Sequence, residues 1–325
     1  MQDLIDISLS VSLSPYYTQG AGGNTSVKIG DEMYIKASGF FLKDIEKGYV
    51  KLNYNQVSEH LNCTNYTNPD AEFKADVENQ IINPTGLLPS METGFHAVLN
   101  SYVIHTHPLA VNVLLCSDDV ESKLKNLFFD VPFLLLPYLN PGYPLSKSIS
   151  NCIKQLPELP ALIFLKNHGL IVHSKEKEQA ILLHQLAINR IENQYQLNAS
   201  LTYKLTLIEE NEYTLQSNEI QSIIENPNLL NNYLFPDQAV VIGENWGVNN
   251  DTKKINILKE KNSIQIFANE KNAMAIAENL IAVSYIHFHC QQLNFRTTSL
   301  AKQDVAFILN LDTEKYRQNI LNKHG

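Results

Sequence analysis

Four residues of this chain carry side chains suited to holding one metal ion and moving one proton: Glu92, His105, His107 and His168. The run Tyr102-Val-Ile-His-Thr-His107 has the composition of a buried β-strand and ends at Pro108, where a helix can begin. Residues two apart on a strand point the same way, so both imidazoles face one direction. His168 stands at an Asn-His-Gly kink between two apolar, β-rich runs. Three neutral imidazoles with a carboxylate make a tetrahedral zinc site, or a three-ligand zinc site whose carboxylate is free to move protons. Spacing alone leaves both arrangements open. An isolated His-x-His is commonly a packed pair, so the flanking residues decide its weight.

Those flanks predict how the groups are positioned. Ser90 is a natural N-cap for a helix carrying Glu92 in its first turn, where the helix dipole favours an ionised carboxylate. A surface glutamate that merely complements the dipole would look the same. His96, four residues on, shares that helical face and is read as a hydrogen-bond partner of Glu92 rather than a ligand. The loop Gly20-Ala-Gly-Gly-Asn24 offers backbone amides that can converge on a phosphate or carboxylate, although a tight surface turn has the same composition. Ser38-Gly39 and Ser90 supply further donors, and Lys36 a point charge or a solvated strand lysine. A second pair, His287-Phe-His289, lies in a helical pattern, where a two-residue step turns the rings apart; it is rejected as a metal site. His173 is read as a packed or surface histidine, and Tyr138 and Tyr143 as candidate phenolic proton donors.

Taken together, Gly23-Asn24-Thr25-Ser26, Ala37-Ser38-Gly39, Pro89-Ser90-Met91-Glu92, His105-Thr106-His107 and Asn167-His168-Gly169 resemble, in this order, the motifs of the class II aldolase/adducin family. The resemblance covers roughly the first two-thirds of the chain. It implies a three-layer α/β/α fold with zinc held by His105, His107 and His168, and Glu92 as the acid/base at the substrate carbon. It also implies that Asn24, Ser38, Gly39 and Ser90, with Thr25 beside Asn24, bind the phosphate of a ketose 1-phosphate. Met91 departs from the pattern, since small-sugar aldolases have a second serine there. The spelling of the Gly20–Lys28, Ile35–Gly39 and Pro89–Thr93 segments is most similar to the aldolase portion of bifunctional rhamnulose-1-phosphate aldolase/lactaldehyde dehydrogenases, and Phe235-Pro-Asp looks like its continuation. Related aldolases take a tyrosine from a neighbouring subunit; its register falls near Phe128 and Phe129, without a match. By resemblance the chain is a homo-oligomer, a cyclic tetramer with its site at the subunit seam.

Composition sets the outer bounds. At 325 residues with 44% hydrophobic and 18% charged side chains, the chain has ample core for one large domain or two. A net charge of −9 gives no electrostatic reason to expect nucleic acid or an anionic membrane as partner. No run reaches the ~18 apolar residues of a membrane span, and the acidic N-terminus lacks a signal-peptide core. Cys63, Cys116, Cys152 and Cys290 are scattered, as expected of reduced thiols in a cytoplasmic protein. The sequons at Asn62, Asn65, Asn198 and Asn250 then carry no meaning.

Strands and helices without strict alternation predict an α/β fold with a central, mainly antiparallel sheet covered by helices on both faces. A domain spanning 1–205 holds the motifs, and 206–325 forms a small α+β extension, the boundary lying in the Asn-rich stretch between about Ala199 and Leu234. In the extension Ala239–Gly243, Ile255–Lys259 and Ser263–Ala268 read as strands, followed by helices over Glu270–Leu293 and Ser299–Asn322.

The expected chemistry is zinc-assisted cleavage of a ketose 1-phosphate, or a related sugar, to dihydroxyacetone phosphate and an aldehyde through an enediolate, with Glu92 handling the proton. Epimerase or dehydratase chemistry on a sugar phosphate or sugar acid suits the same scaffold. A non-catalytic, adducin-like binding module would not need the three histidines and the glutamate.

Overall fold

The computed structural model describes residues 1–62, 65–82, 84–197 and 200–323; Cys63 and Asn198 lie outside them. Seven strands form the first sheet: β1 (Asn24–Ile29), β2 (Glu32–Lys36), β3 (Tyr49–Asn53), β4 (Tyr102–Thr106), β5 (Phe133–Leu136), β6 (Leu162–Leu165) and β7 (Gly169–Ser174). Their order is β3-β2-β1-β4-β7-β6-β5, and every neighbouring pair is antiparallel except β5 and β6. The helices of this half are α1 (Gln2–Ser10), α2 (Tyr54–Leu61), α3 (Pro69–Glu78), α4 (Thr93–Val98), α5 (Leu109–Leu115), α6 (Val120–Leu127), α7 (Tyr143–Gln155) and α8 (Lys177–Tyr195).

Strand alternation divides them between the two faces. On one face Val103 and Ile171 pack with Phe95 of α4 and Leu145 and Ile149 of α7, while Met33 and Ile35 pack with α2 and α3. On the other, Val27 and Ile104 meet Leu4 and Ile7 of α1 and Ala180 of α8. Register fixes which polar groups share the first face: Asn24 pairs with His105 and Ser26 with Val103. A one-residue slip of β1 would turn Asn24 away and bring Thr25 inward.

The second half contains β8 (Tyr203–Glu209), β9 (Glu212–Ser217), α9 (Gln221–Glu225), β10 (Trp246–Val248), β11 (Ile255–Leu258), β12 (Ser263–Phe267), α10 (Glu270–Gln292), α11 (Lys302–Asn310) and α12 (Asp312–Lys323). Its five strands run β10-β11-β12-β9-β8. The hairpin β8–β9 occupies part of the stretch expected to be a polar linker, and β8 crosses residue 205. Its alternating Tyr203, Leu205 and Leu207 are masked in sequence by the adjacent exposed Ile208 and a bulge between Leu207 and Glu209. Ala239–Gly243, expected as a strand, is instead a π-helical turn over Gln238–Ile242. Short apolar runs do not distinguish the two. Here the Gln238 side chain accepts from the Leu234 amide at 2.7 Å and curls the run back on itself. The last expected helix is broken into α11 and α12 at Leu311.

Helix α10 joins the halves. The seven residues of α5 are all buried, and seven residues are too few to hold a helix in isolation. Burial stabilises it: α5, α8 and the inner side of α10 belong to one apolar cluster that continues through Leu215, Ile255 and Ile264 of the second sheet. Each such fully buried aliphatic side chain contributes about 1.5–3 kcal/mol. Among the described residues no helix is long and apolar enough to cross a membrane.

Candidate active site

His105 is the penultimate residue of β4, on the α4 face, His107 follows the strand, and His168 sits in the tight β6–β7 turn. Asn167 of that turn takes a left-handed conformation (φ 55°) and is pinned by its side chain to the carbonyls of Leu234 and Thr298, both at 2.9 Å. Gly169 allows the close approach that follows, for a Cβ there would lie 2.4 Å from the Thr106 carbonyl and 2.8 Å from the His107 ring. The three histidines place one ligand nitrogen each within 4.8 Å of one another. Nε2 of His105 faces Nε2 of His107 at 3.2 Å and Glu92 Oε2 at 3.3 Å, while Nε2 of His168 lies 3.5 Å from Glu92 Oε1.

All four groups are buried. Burial drives His105 down to about 4 and His168 to about 3, despite the opposing pull of Glu92, so these imidazoles are neutral with lone pairs to offer. Burial disfavours the Glu92 charge, but His105, His168 and the Asn24 amide outweigh it and hold the carboxyl down at about 2. His105 Nδ1 donates to the Leu170 carbonyl at 3.0 Å, which leaves Nε2 as its lone-pair nitrogen. Glu92 Oε1 has no hydrogen-bond partner although buried. Converging lone pairs and an orphaned carboxylate oxygen are the donor set of a divalent cation site, and the residues fit one.

Glu92 is held by a chain of polar contacts. Asn24 Nδ2 donates to Glu92 Oε2 at 2.7 Å and to Ser90 Oγ at 3.0 Å. The Asn24 carbonyl oxygen only accepts, so His96 Nε2 donates to it, and His96 Nδ1 accepts from Ser26 Oγ at 2.7 Å. His96 therefore acts on Glu92 through Asn24, not by the expected direct bond. Helix α4 also starts later than expected: Glu92 occupies its N-cap position, and Ser90 Oγ accepts from the Glu92 amide at 3.3 Å.

Not every expected binding residue joins this group. Ser38, Gly39, Ser90 and Asn24 line one small cavity of about 40 Å³ with Glu92, His107 and His168. Thr25 does not. Its side chain lies on the opposite face of β1, 2.6 Å from Ser8 Oγ, as strand alternation requires. The glycine loop offers fewer free amides than its composition suggests, because Gly20 N–H donates to Glu278 at 2.6 Å and Gly22 N–H to Gln19 O at 3.0 Å. Lys36 is buried, donating to the carbonyls of Ala21 and Phe40, and burial lowers it to about 7. Tyr138 donates to Asn140 at 3.3 Å, and the Tyr143 ring packs on Phe73. His173 is packed between Asn100 and the Pro160 carbonyl, and His287 and His289 sit on α10 as expected.

Three charged groups beside the cluster were missed in the sequence. Asp237 Oδ2 lies 3.2 Å from His107 Nδ1, and its other oxygen accepts from Arg317 Nη2 at 2.6 Å. Arg317 Nε lies 3.0 Å from Glu314 Oε2. Burial opposes the Asp237 charge, but Arg317 and His107 hold its carboxyl well below the usual range; burial raises Glu314 to about 7 against the pull of Arg317. Asp237 belongs to the Phe235-Pro-Asp segment, and Arg317 is one of three arginines in a lysine-rich chain, the signals by which the two could have been found. Helix α12 also covers the Ser38–Gly39 turn: at Gly39 (φ 84°) a Cβ would lie 2.7 Å from Ile320 Cβ.

Known proteins resemble parts of this chain. A Bacillus subtilis (strain 168) protein described as uncharacterized oxidoreductase YuxG is 27% identical over 168 residues, covering 48% of this chain and 24% of that protein, so the chain spans about a quarter of its relative's length. The N-terminal class II aldolase domain of a conserved protein from Thermoplasma acidophilum superposes with a TM-score of 0.53 at 25% identity, covering 59% of this chain and 92% of the other. A fuculose-1-phosphate aldolase from Thermus thermophilus is more distant, at 16% identity and a TM-score of 0.38 over 60% of this chain and 93% of its own. Residues 2–195 match the family described as class II aldolase and adducin N-terminal domain. The chain is a member of the class II aldolase/adducin family.

Proposed function

We propose that this chain is a zinc-dependent aldolase that cleaves a ketose 1-phosphate, or a related sugar, to dihydroxyacetone phosphate or its analogue and an aldehyde. One observation carries the reading: three buried imidazole nitrogens converge on a carboxylate whose position is fixed by Asn24. A binding module has no use for such an arrangement, whereas proton transfer at a metal-bound substrate needs it.

Zinc held by His105, His107 and His168 would supply Lewis-acid polarisation of a carbonyl oxygen. The chain's own residues do the rest. Glu92, ionised and aimed into the 40 Å³ cavity, removes a proton from the substrate carbon in the condensing direction and returns it after cleavage. Asn24 holds Glu92 in place, and His96 and Ser26 hold Asn24. The hydroxyls of Ser38 and Ser90 line the same cavity and provide donors for the substrate's anionic end, beside Lys36 and an Arg317 whose charge Asp237 and Glu314 already engage. The motif spelling, most similar to the aldolase portion of bifunctional rhamnulose-1-phosphate aldolase/lactaldehyde dehydrogenases, favours a ketose 1-phosphate as substrate.

The test is a retro-aldol assay on a panel of ketose 1-phosphates before chelation, after it, and after zinc is restored. Release of dihydroxyacetone phosphate that disappears with the chelator and returns with zinc supports the proposal. No release from protein that holds zinc would overturn it in favour of epimerase or dehydratase chemistry.

A further inference from the structure

The Gly20–Asn24 loop runs close beside the histidines, and its glycines mark where it has no room to spare. A Cβ on Gly22 would lie 2.5 Å from Asp237 Oδ2 and 3.1 Å from His107 Nδ1, and one on Gly23 would lie 2.8 Å from the His105 carbonyl. The loop ends at Asn24, whose side-chain amide donates to Glu92 at 2.7 Å. The path of this backbone therefore bears on His107, Asp237 and Glu92 together. Helix α10 supplies a seat where the loop begins. Gly20 takes a left-handed conformation (φ 55°) and comes so close to the helix that a Cβ would lie 2.9 Å from Ala275 Cβ. Three residues along, Glu278 Oε2 accepts from the Gly20 amide at 2.6 Å, and Oε1 accepts from the Tyr203 hydroxyl of β8 at 3.3 Å. Residues three apart share a helix face, so the small side chain admits the backbone and the carboxyl catches it.

We infer that Glu278 is a positioning residue: by holding the Gly20 amide it sets the loop against His107 and brings Asn24 to Glu92. Glu278 is buried and does not line the 40 Å³ cavity, so it acts through the loop rather than on a ligand. Burying a carboxyl is costly, and the bonds to Gly20 and Tyr203 offset that cost. Burial also raises its carboxyl from the ordinary value, which favours the neutral form that a glutamine imitates. Glu278 lies outside the matched residues 2–195, so the second half of the chain becomes a working part of the active centre. The inference rests on the aldolase reading only for the turnover measurement below.

The test uses the full-length protein and the variants Glu278→Leu, Glu278→Gln and Ala275→Val, each checked for folding by circular dichroism and thermal denaturation. Leucine leaves the Gly20 amide buried without an acceptor, whereas glutamine keeps an oxygen in its place. Valine crowds the same seat without touching the carboxyl, and carries the prediction alone if Glu278→Leu does not fold. The first readout is Co²⁺ in place of zinc, whose visible spectrum and affinity report the geometry at the histidines. The second is kcat and KM at saturating zinc, with whichever ketose 1-phosphate the assay above identifies. Glu278→Leu and Ala275→Val should bind Co²⁺ about 10–100-fold more weakly with an altered spectrum, the range for groups that support metal ligands. Their kcat should fall by about 10–100-fold with KM within about twofold of wild type, as misplacement of a catalytic group does. Glu278→Gln should keep the wild-type spectrum, affinity and kcat. Variants that lose thermal stability but keep spectrum, affinity and kcat would overturn the inference, and so would a glutamine variant as impaired as the leucine one. If the wild type cleaves no ketose 1-phosphate while the Co²⁺ readout follows this pattern, the aldolase reading fails and the positioning role stands.

Discussion

Asp237 Oδ2 sits 3.2 Å from His107 Nδ1, while Nε2 of the same ring faces Nε2 of His105 at 3.2 Å. With Nδ1 facing a carboxylate, Nε2 is the nitrogen left to face the cluster, and a carboxylate in this place supports a ligating ring. Arg317 fixes the other Asp237 oxygen at 2.6 Å. Asp237→Ala is expected to weaken metal binding by about 10–100-fold, the usual loss when such a supporting carboxylate is removed. Arg317→Met should cost less, because Asp237 keeps its contact with His107. A competition titration against a chromogenic chelator measures both, and unchanged affinity in Asp237→Ala would show that the carboxylate plays no part in holding the ring.

Glu92→Gln separates metal holding from proton transfer. The amide keeps an oxygen to accept from Asn24 but cannot take up a proton at the substrate carbon. The variant should retain metal at one ion per chain by elemental analysis while its turnover falls by about 10²–10⁴-fold, the range of general acid–base catalysis. Wild-type turnover would remove Glu92 from the mechanism.

Much of this site was legible because its parts are local. His105 and His107 are two residues apart on one strand, and the Asn-His-Gly turn announces itself by composition. What brings Asp237, Glu314 and Arg317 to the same place is the packing of α10, α11 and α12, and no local pattern encodes a contact between a π-helical turn and a C-terminal helix. Thr25 shows the opposite failure. Proximity in sequence to Asn24 suggested a shared role, but the period of two in a strand sends neighbours to opposite faces. The hairpin β8–β9 stayed hidden because a bulge and exposed apolar residues broke its alternation, and asparagines around it looked like a linker.

Gly169 tests how closely the β6–β7 turn is fitted to His107. An added methyl would meet the Thr106 carbonyl, which is backbone and cannot step aside. Gly169→Ala should destabilise the protein by about 1–3 kcal/mol, as overpacking does, and misplace both His107 and His168. Chemical denaturation and metal content should fall together. A variant that loses stability but holds metal with wild-type affinity would mean that the turn relaxes without moving the histidines.

Two of the histidines that burial lowers, both outside the cluster, contribute to how the fold responds to acid. His184 is buried with Nε2 2.7 Å from Thr106 Oγ1, and burial lowers it to about 3. Burial lowers His173 to about 4, against a small opposing contribution from the Pro160 carbonyl. Both are therefore neutral in the native state at pH values where an unfolded chain would protonate them, below the ordinary value of 6.5. Between 6.5 and those lowered values the unfolded state binds more protons, so stability is full above 6.5 and declines as pH falls through this window. Each histidine contributes a slope of about 1.4 kcal/mol per pH unit within it. Urea denaturation of chelator-treated protein at pH 7, 6 and 5 should show the decline, and His184→Gln should make it shallower by about one histidine's share. If the variant keeps the full wild-type slope, His184 is not among the groups that drive acid destabilisation.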